Sequence, residues 1–322
     1  ATLAHPLNRP RFDPQGRVQG GYTVLQPGLE TTAGWGEATL FSRIMDGDTG
    51  VDLYSHAVSD VYQDLFGEGI YAGKGILDVA AFERCLANRA PDNALLSHDL
   101  FEGIHGRVGL VSDVHLLEES PADLVAYLRR LHRWIRGDWQ LLPWLWITVP
   151  ARNGGRIGND LSALDRWKVL DNLRRSLLPP SLVSLSLAGW LFGPGPAWLW
   201  TIVPLLVLSV PGLFGAASAT RRLLWSRRAS RWEPLRDRVR LRTVGPMALA
   251  GAGRALSTLV FLPCLAFVSL DAIVRTLVRL AITRRHLLEW TTAAHSAQAS
   301  GGRSTRSLPL LVLVPGPLVA GA

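Results

Sequence analysis

Ala126-Tyr-Leu-Arg-Arg-Leu-His-Arg-Trp-Ile-Arg-Gly-Asp-Trp-Gln140 is the stretch on which the reading of this chain turns. Leu124, Leu128, Leu131 and Ile135 recur at helical spacing, which predicts an amphipathic helix. Arg129, Arg133 and Arg136 fall on a different face. Guanidinium groups suit a diphosphate, because each offers a planar fork of donors and keeps its charge. A tryptophan beside them suits a sugar, whose apolar C–H face can lie on the ring. The same segment also fits a basic helix lying on a membrane surface.

Upstream, the pattern is that of an α/β domain. Tyr22–Gln26 reads as a short strand between breakers. In Ser59–Asp78 the glycines Gly67, Gly69, Gly73 and Gly75 alternate with Ile70 and Tyr71. Glycine in a strand pattern marks close approach of a backbone or ligand, though a plain Gly-rich hairpin fits too. The segment is not a phosphate-binding Walker loop, since Gly75 rather than Ser or Thr follows Gly73-Lys74. Asp78–Leu86 reads as a helix capped by Asp78. Asp99 and Glu102 have capping-box-like spacing, so Asp99 reads as a helix cap or as a catalytic base. Val108–Leu117 reads as a strand, with Glu118 and Glu119 leading into a loop. Strands alternating with helices over residues 20–120 predict an α/β fold.

Composition narrows the setting. The 322 residues are 48% hydrophobic and 19% charged, apolar for a soluble enzyme, with a net charge of +8. The basic residues cluster beside apolar runs, notably Arg221–Arg242, which favours an anionic membrane surface over nucleic acid. Two distant cysteines, Cys85 and Cys264, offer neither a disulfide framework nor a zinc spacing. The chain opens on Ala1 without a signal peptide, which suggests a piece of a longer polypeptide.

Downstream of Gln140 the texture changes. Leu141–Ile147 is apolar and tryptophan-rich, as at a membrane interface, and Leu161–Leu178 reads as an amphipathic helix. No charged residue occurs from Ser176 to Thr220, a run of 45. That length holds two membrane spans of about 20 residues each. Gly193-Pro-Gly-Pro196 is a natural turn between them, bracketed by Trp190, Trp198 and Trp200. Arginines on both flanks place both ends of the hairpin, and the α/β domain, in the cytoplasm. Ala255–Leu270 reads as an interfacial helix or a further crossing. The expected order is therefore 1–140 α/β domain, 141–178 interfacial segment and helix, 179–220 hairpin, 221–254 basic linker, 255–290 membrane or interfacial helix, and 291–322 linker and unassigned tail.

The residues now carry a family resemblance. Arg130-Leu-His-Arg-Trp134 resembles the (Q/R)xxRW signature of processive, membrane-embedded inverting glycosyltransferases of the cellulose- and hyaluronan-synthase-like group. Ser97-His-Asp99 sits where that group has its Thr-Glu-Asp motif. Ala4–Pro10, Val58–Gly69, Gly73–Ile76, Leu96–Leu100, His132–Gln140 and Ser269–Arg275 resemble the cyclic β-1,2-glucan synthases, the family-84 glycosyltransferases. The likeness covers roughly residues 4–290.

That resemblance implies a GT-A-like α/β domain, incomplete at its N-terminus, joined to transmembrane helices. It implies UDP-glucose as donor, a β-1,2-glucan as acceptor, the lipid bilayer and the remaining synthase domains as partners, and no nucleic acid. It places the protein in a bacterial inner membrane, multi-pass, with the catalytic domain cytoplasmic. Asp99 becomes the catalytic base, Arg130 and Arg133 the donor-diphosphate ligands, and Trp134, Gly73, Lys74 and Gly75 the acceptor side. His98, Glu102, His132, Arg136 and Asp138 become supporting residues. The family's Asp-x-Asp would precede a segment like Ala4–Pro10, so the Mg2+ or Mn2+ ligands are expected upstream of residue 1 and none within this chain. The alternative is a catalytically dead, membrane-anchored glycan-binding or assembly protein.

Overall fold

The computed structural model describes residues 2–32, 39–45, 55–56, 59–96, 98–119, 121, 123–152, 155–229 and 234–288. Expectations for Ser97, for much of residues 31–60 and for the 291–322 tail lie outside them. The chain divides into two units. The first takes in Ala1–Ser42, Asp46–Leu177 and Val268–Ala322, the second Arg43–Met45 and Leu178–Phe267.

In the first unit, β1 (Arg11–Phe12) and β2 (Val18–Gly20) make a small antiparallel ribbon ahead of β3 (Val24–Thr32). Helix α1 (Leu40–Met45) and the ribbon of β4 (Ser55–His56) and β5 (Ser59–Asp60) lead to α2 (Val61–Phe66). Then come β6 (Ile76–Leu77), α3 (Val79–Leu86), α4 (Asp99–Gly106), β7 (Val108–Glu119) and α5 (Leu124–Gln140). A three-stranded sheet in the order β6-β3-β7 forms the centre, with β7 parallel and β6 antiparallel to β3. Val24 pairs with Val108, and both are buried. The register slips between Pro27 and Gly28, where proline has no N–H for the ladder.

The glycine-rich segment is neither strand nor hairpin. Helix α2 ends at Gly67, at φ 68°, and residues 67–75 run as irregular backbone before the two residues of β6. Individual bonds hold this path. Gly67 O accepts from the Tyr22 hydroxyl (2.9 Å), Gly69 N donates to Val108 O (2.7 Å), and Ala72 N donates to Gln26 Oε1 (2.5 Å). A Cβ on Gly75 would stand 2.5 Å from Leu25 O, so its approach to β3 requires glycine. β7 runs on through Glu119, so Glu118 sits in the strand rather than in a loop.

The main core joins Leu95, Leu100 and Phe101 to Leu141, Trp144 and Val169. Packing therefore does not break at residue 140. Leu141 and Trp144 are buried rather than interfacial, while Trp146 and Ile147 are exposed. A short 3-10 turn (Leu142–Leu145) and the ribbon of β8 (Thr148–Pro150) and β9 (Arg156–Gly158) connect to α6 (Ala163–Phe192). On α5, Leu128 and Ile135 are buried as the spacing predicts, and Ile135 packs on Ala272 and Ile273. Those two residues lie near the end of α8 (Pro234–Val278), so α5 covers that part of the helix.

The second unit contains the end of α6, helix α7 (Ala197–Ala229) and most of α8. Gly193–Pro196 does form the turn between α6 and α7, with Gly195 at φ 83°. Trp200 packs closely against Gly189 and Gly193, since a Cβ on Gly189 would stand 2.1 Å from its ring. Residues 179–192 are the last turns of α6, with Pro179 and Pro180 inside the helix. Among the described residues two helical stretches are long and apolar enough to cross a membrane, Ala197–Phe214 and Gly251–Thr283. Prolines and serines dilute the first limb of the expected hairpin; Ser186 bonds back to Leu182 O. In place of a basic linker at 221–254, α7 continues to Ala229 and α8 starts at Pro234.

Candidate functional site

Asp99 is the first residue of α4, and its side chain does not cap the helix. His98 holds the cap position, and no side chain bonds there. Two other aspartates do cap: Asp78 accepts from Ala81 N (3.1 Å) and Asp123 from Ala126 N (2.8 Å). Asp99 instead faces the glycine-rich segment. A Cβ on Gly73 would stand 2.8 Å from its Oδ1. Burial raises the Asp99 carboxyl above its ordinary range, and Glu102 adds to this, while His98 and Arg133 pull it down.

The cations gather across from it. Lys74 and Arg130 share Glu118, with Lys74 paired to one carboxylate oxygen and Arg130 3.7 Å from the other. The Arg130 guanidinium lies over the Trp134 ring, 4.3 Å from its centroid. Lys74 is held below the usual lysine range by burial first and by Arg130 second. Gly73, Lys74, Asp99, Arg130, Arg133 and Trp134 are thus linked by contact or charge, although they come from three separate segments. Glu118 is a member that the spacing did not reveal. It sits where the sequence reads as a loop, and its partners lie on other elements.

The supporting residues divide. His98 Nδ1 pairs with Glu102 Oε1 at 3.2 Å, and that bond raises the imidazole above its usual value. Asp138 accepts from Asn172 (3.1 Å); burial pushes it up to about 6, Arg175 pulls it down and the Asp99 charge pushes it up. His132 and Arg136 turn elsewhere. His132 Nε2 lies 2.9 Å from Asp271 Oδ2. Arg136 is buried, and it donates to His286 O and Leu287 O at 3.5 Å. A basic helix resting on a membrane would keep that arginine exposed, so α5 is a packed helix. Spacing also missed the ion pair of Glu68 with the buried Lys168 (2.7 Å), which ties the glycine-rich segment to α6.

His98, Asp99 and Glu102 bring three ligand-type atoms within 4.8 Å of one another. One nitrogen and two oxygens, already joined by the His98–Glu102 pair, are a poor set for a hard cation that takes oxygen ligands. The group does not fit Mg2+ or Mn2+ well.

The described residues combine an α/β arrangement that carries a charged, glycine-lined cluster with two helical stretches of membrane length. Comparison with known proteins narrows the class. No family model matches the chain. Over 327 aligned positions it is 40% identical to "Cyclic beta-(1,2)-glucan synthase NdvB" of Rhizobium meliloti (strain 1021). The alignment takes in 99% of this chain and 11% of that protein, so the chain spans about a tenth of the curated relative's length. The resemblance to cyclic β-1,2-glucan synthases therefore stands along nearly the whole chain.

Proposed function

We propose that residues 1–140 belong to the cytoplasmic, GT-A-like domain of an inverting, processive membrane glucosyltransferase. It transfers glucose from UDP-glucose to a growing β-1,2-glucan, at a bacterial inner membrane and together with further domains. One observation carries this reading: Asp99 begins α4 without capping it and lies against Gly73, its carboxyl raised by burial. A carboxylate made more basic in this way suits proton abstraction from a sugar hydroxyl.

In the proposed reaction the acceptor hydroxyl attacks the anomeric carbon as the bond to UDP breaks. The hydroxyl proton passes to Asp99, and UDP leaves with the bonding pair. Arg130 and Arg133 stabilise the negative charge that grows on the leaving diphosphate. Trp134 and the Gly73–Gly75 backbone position the acceptor ring.

Asp99→Asn in membrane preparations of the protein tests the reading. It preserves size and removes the base. Glucosyl transfer should fall by about two to four orders of magnitude with UDP binding little changed. Near-full transfer by the variant would refute the assignment.

A further inference from the structure

We infer that Gln140 is a positioning residue: its buried amide joins the loop that carries Asp99 to the segment that leaves α8. The inference rests on the proposed role of Asp99. Gln140 is the last residue of α5, and the residue is 2% exposed. Its two ends hold two different backbones. Oε1 accepts from Leu96 N at 2.5 Å, and Nε2 donates to Leu287 O at 2.9 Å. Leu96 stands three residues before Asp99, and Leu287 follows the helical turn after α8.

Packing also holds the chain that leads to Asp99. Leu95 and Leu100 on either side of it are buried in the core that also takes Leu141, the residue after Gln140. The loop is therefore pinned to the end of α5 by packing at two points and by one directional bond between them. The segment beyond α8 is pinned to the same place. Arg136, one turn back on α5, reaches His286 O and Leu287 O, and Arg279 donates to His286 O at 2.6 Å. Further along, His132 meets Asp271, and Ile135 packs on Ala272 and Ile273. Movement of α8 relative to α5 would act on Leu287 and, through the Gln140 amide, on Leu96. A side chain that could only pack would take the acceptor from Leu96 N and leave Leu287 O to the longer 3.5 Å contact from Arg136. The amide satisfies both and fixes their separation.

Gln140→Met keeps the volume and removes both bonds. Gln140→Glu keeps an acceptor for Leu96 N and loses the donor to Leu287 O. Amide hydrogen exchange and transfer kinetics are measured on both variants in the membrane-embedded protein. In Gln140→Met the Leu96 amide should exchange about tenfold faster or more, with amides in β3 unchanged. Its kcat should fall about 10- to 100-fold with the UDP-glucose KM within about twofold, as expected of a displaced base. Gln140→Glu should keep Leu96 protected and retain more of kcat, which separates the joint from a general loss of fold. Unchanged Leu96 exchange in Gln140→Met overturns the inference whatever the activity, as does faster exchange with kcat intact. The role of Asp99 is judged separately by Asp99→Asn, so the two failures are distinguishable.

Discussion

Gly73 and Asp99 approach so closely that a Cβ on the glycine would stand 2.8 Å from one carboxylate oxygen and 3.1 Å from the other. Gly73 also has φ +79°, a backbone conformation that disfavours any other residue. Gly73→Ala should therefore push Asp99 aside as well as strain the chain by about 1–3 kcal/mol. We expect glucosyl transfer to fall at least about tenfold while UDP affinity holds. Gly155→Ala, where a Cβ would meet nothing within 4 Å, is the control and should be silent. Equal activity of the two variants in a radiolabelled glucose transfer assay would show that the Gly73 approach is incidental.

Glu118 offsets part of the charge of Lys74 and Arg130, two cations expected at the donor and acceptor. Glu118→Gln removes that charge and leaves Lys74 and Arg130 without this carboxylate. UDP should then inhibit about two- to tenfold more strongly, an effect on the order of 1 kcal/mol for a partly exposed pair. The inhibition constant of UDP at low and at moderate salt checks this. Weaker UDP inhibition would mean that Glu118 orients the cations rather than competing for them.

Features fixed by neighbours in sequence were legible in it. Asp78 caps α3, α5 forms over the arginine-rich stretch, and Gly193–Pro196 turns between two helices. Each depends on spacing within a few residues. Partners distant in sequence could not be read. Glu118 meets Lys74 and Arg130, Gln140 meets Leu96 and Leu287, and His132 meets Asp271. Trp144 shows a second limit. An apolar, tryptophan-rich run looks alike whether it faces lipid or a protein core, and only tertiary packing placed Trp144 against Phe101, with ring centroids 5.3 Å apart. Arg136 shows the converse: its spacing put it on a basic face, and the segment after α8 buries it.

Helices α7 and α8 cross at Gly212 and Gly251, where a Cβ on either would stand 3.2 Å from the other's Cα. Small residues allow backbones to pack this closely in a membrane, where apolar area alone does not drive association. Gly212→Leu should force the helices apart and lower the detergent melting temperature by several degrees, while Leu213→Ala, at an exposed position, should change it little. Equal melting of the two variants would argue against this crossing.

Asp138 gives the pH dependence its sign. Burial raises its carboxyl from the ordinary 3.8 to about 6, so the folded protein holds this proton more tightly than the unfolded chain. Its contribution is then most favourable below about pH 4, declines as pH rises from about 4 to 6, and is fully lost above that. A shift of about two units corresponds to roughly 3 kcal/mol at most. Asp138→Asn keeps an oxygen to accept from Asn172 and has no proton to lose. The variant should melt like the parent near pH 4 and progressively higher than it towards pH 7. Because the charge on Asp99 is one cause of the shift, Asp99→Asn should lower the Asp138 pKa and narrow that gap. Thermal melts of the parent, both single variants and the double variant from pH 4 to pH 8 decide the matter. Two strictly additive single effects would mean that Asp138 and Asp99 do not sense each other's charge, and Asp138 would then be a structural residue outside the site.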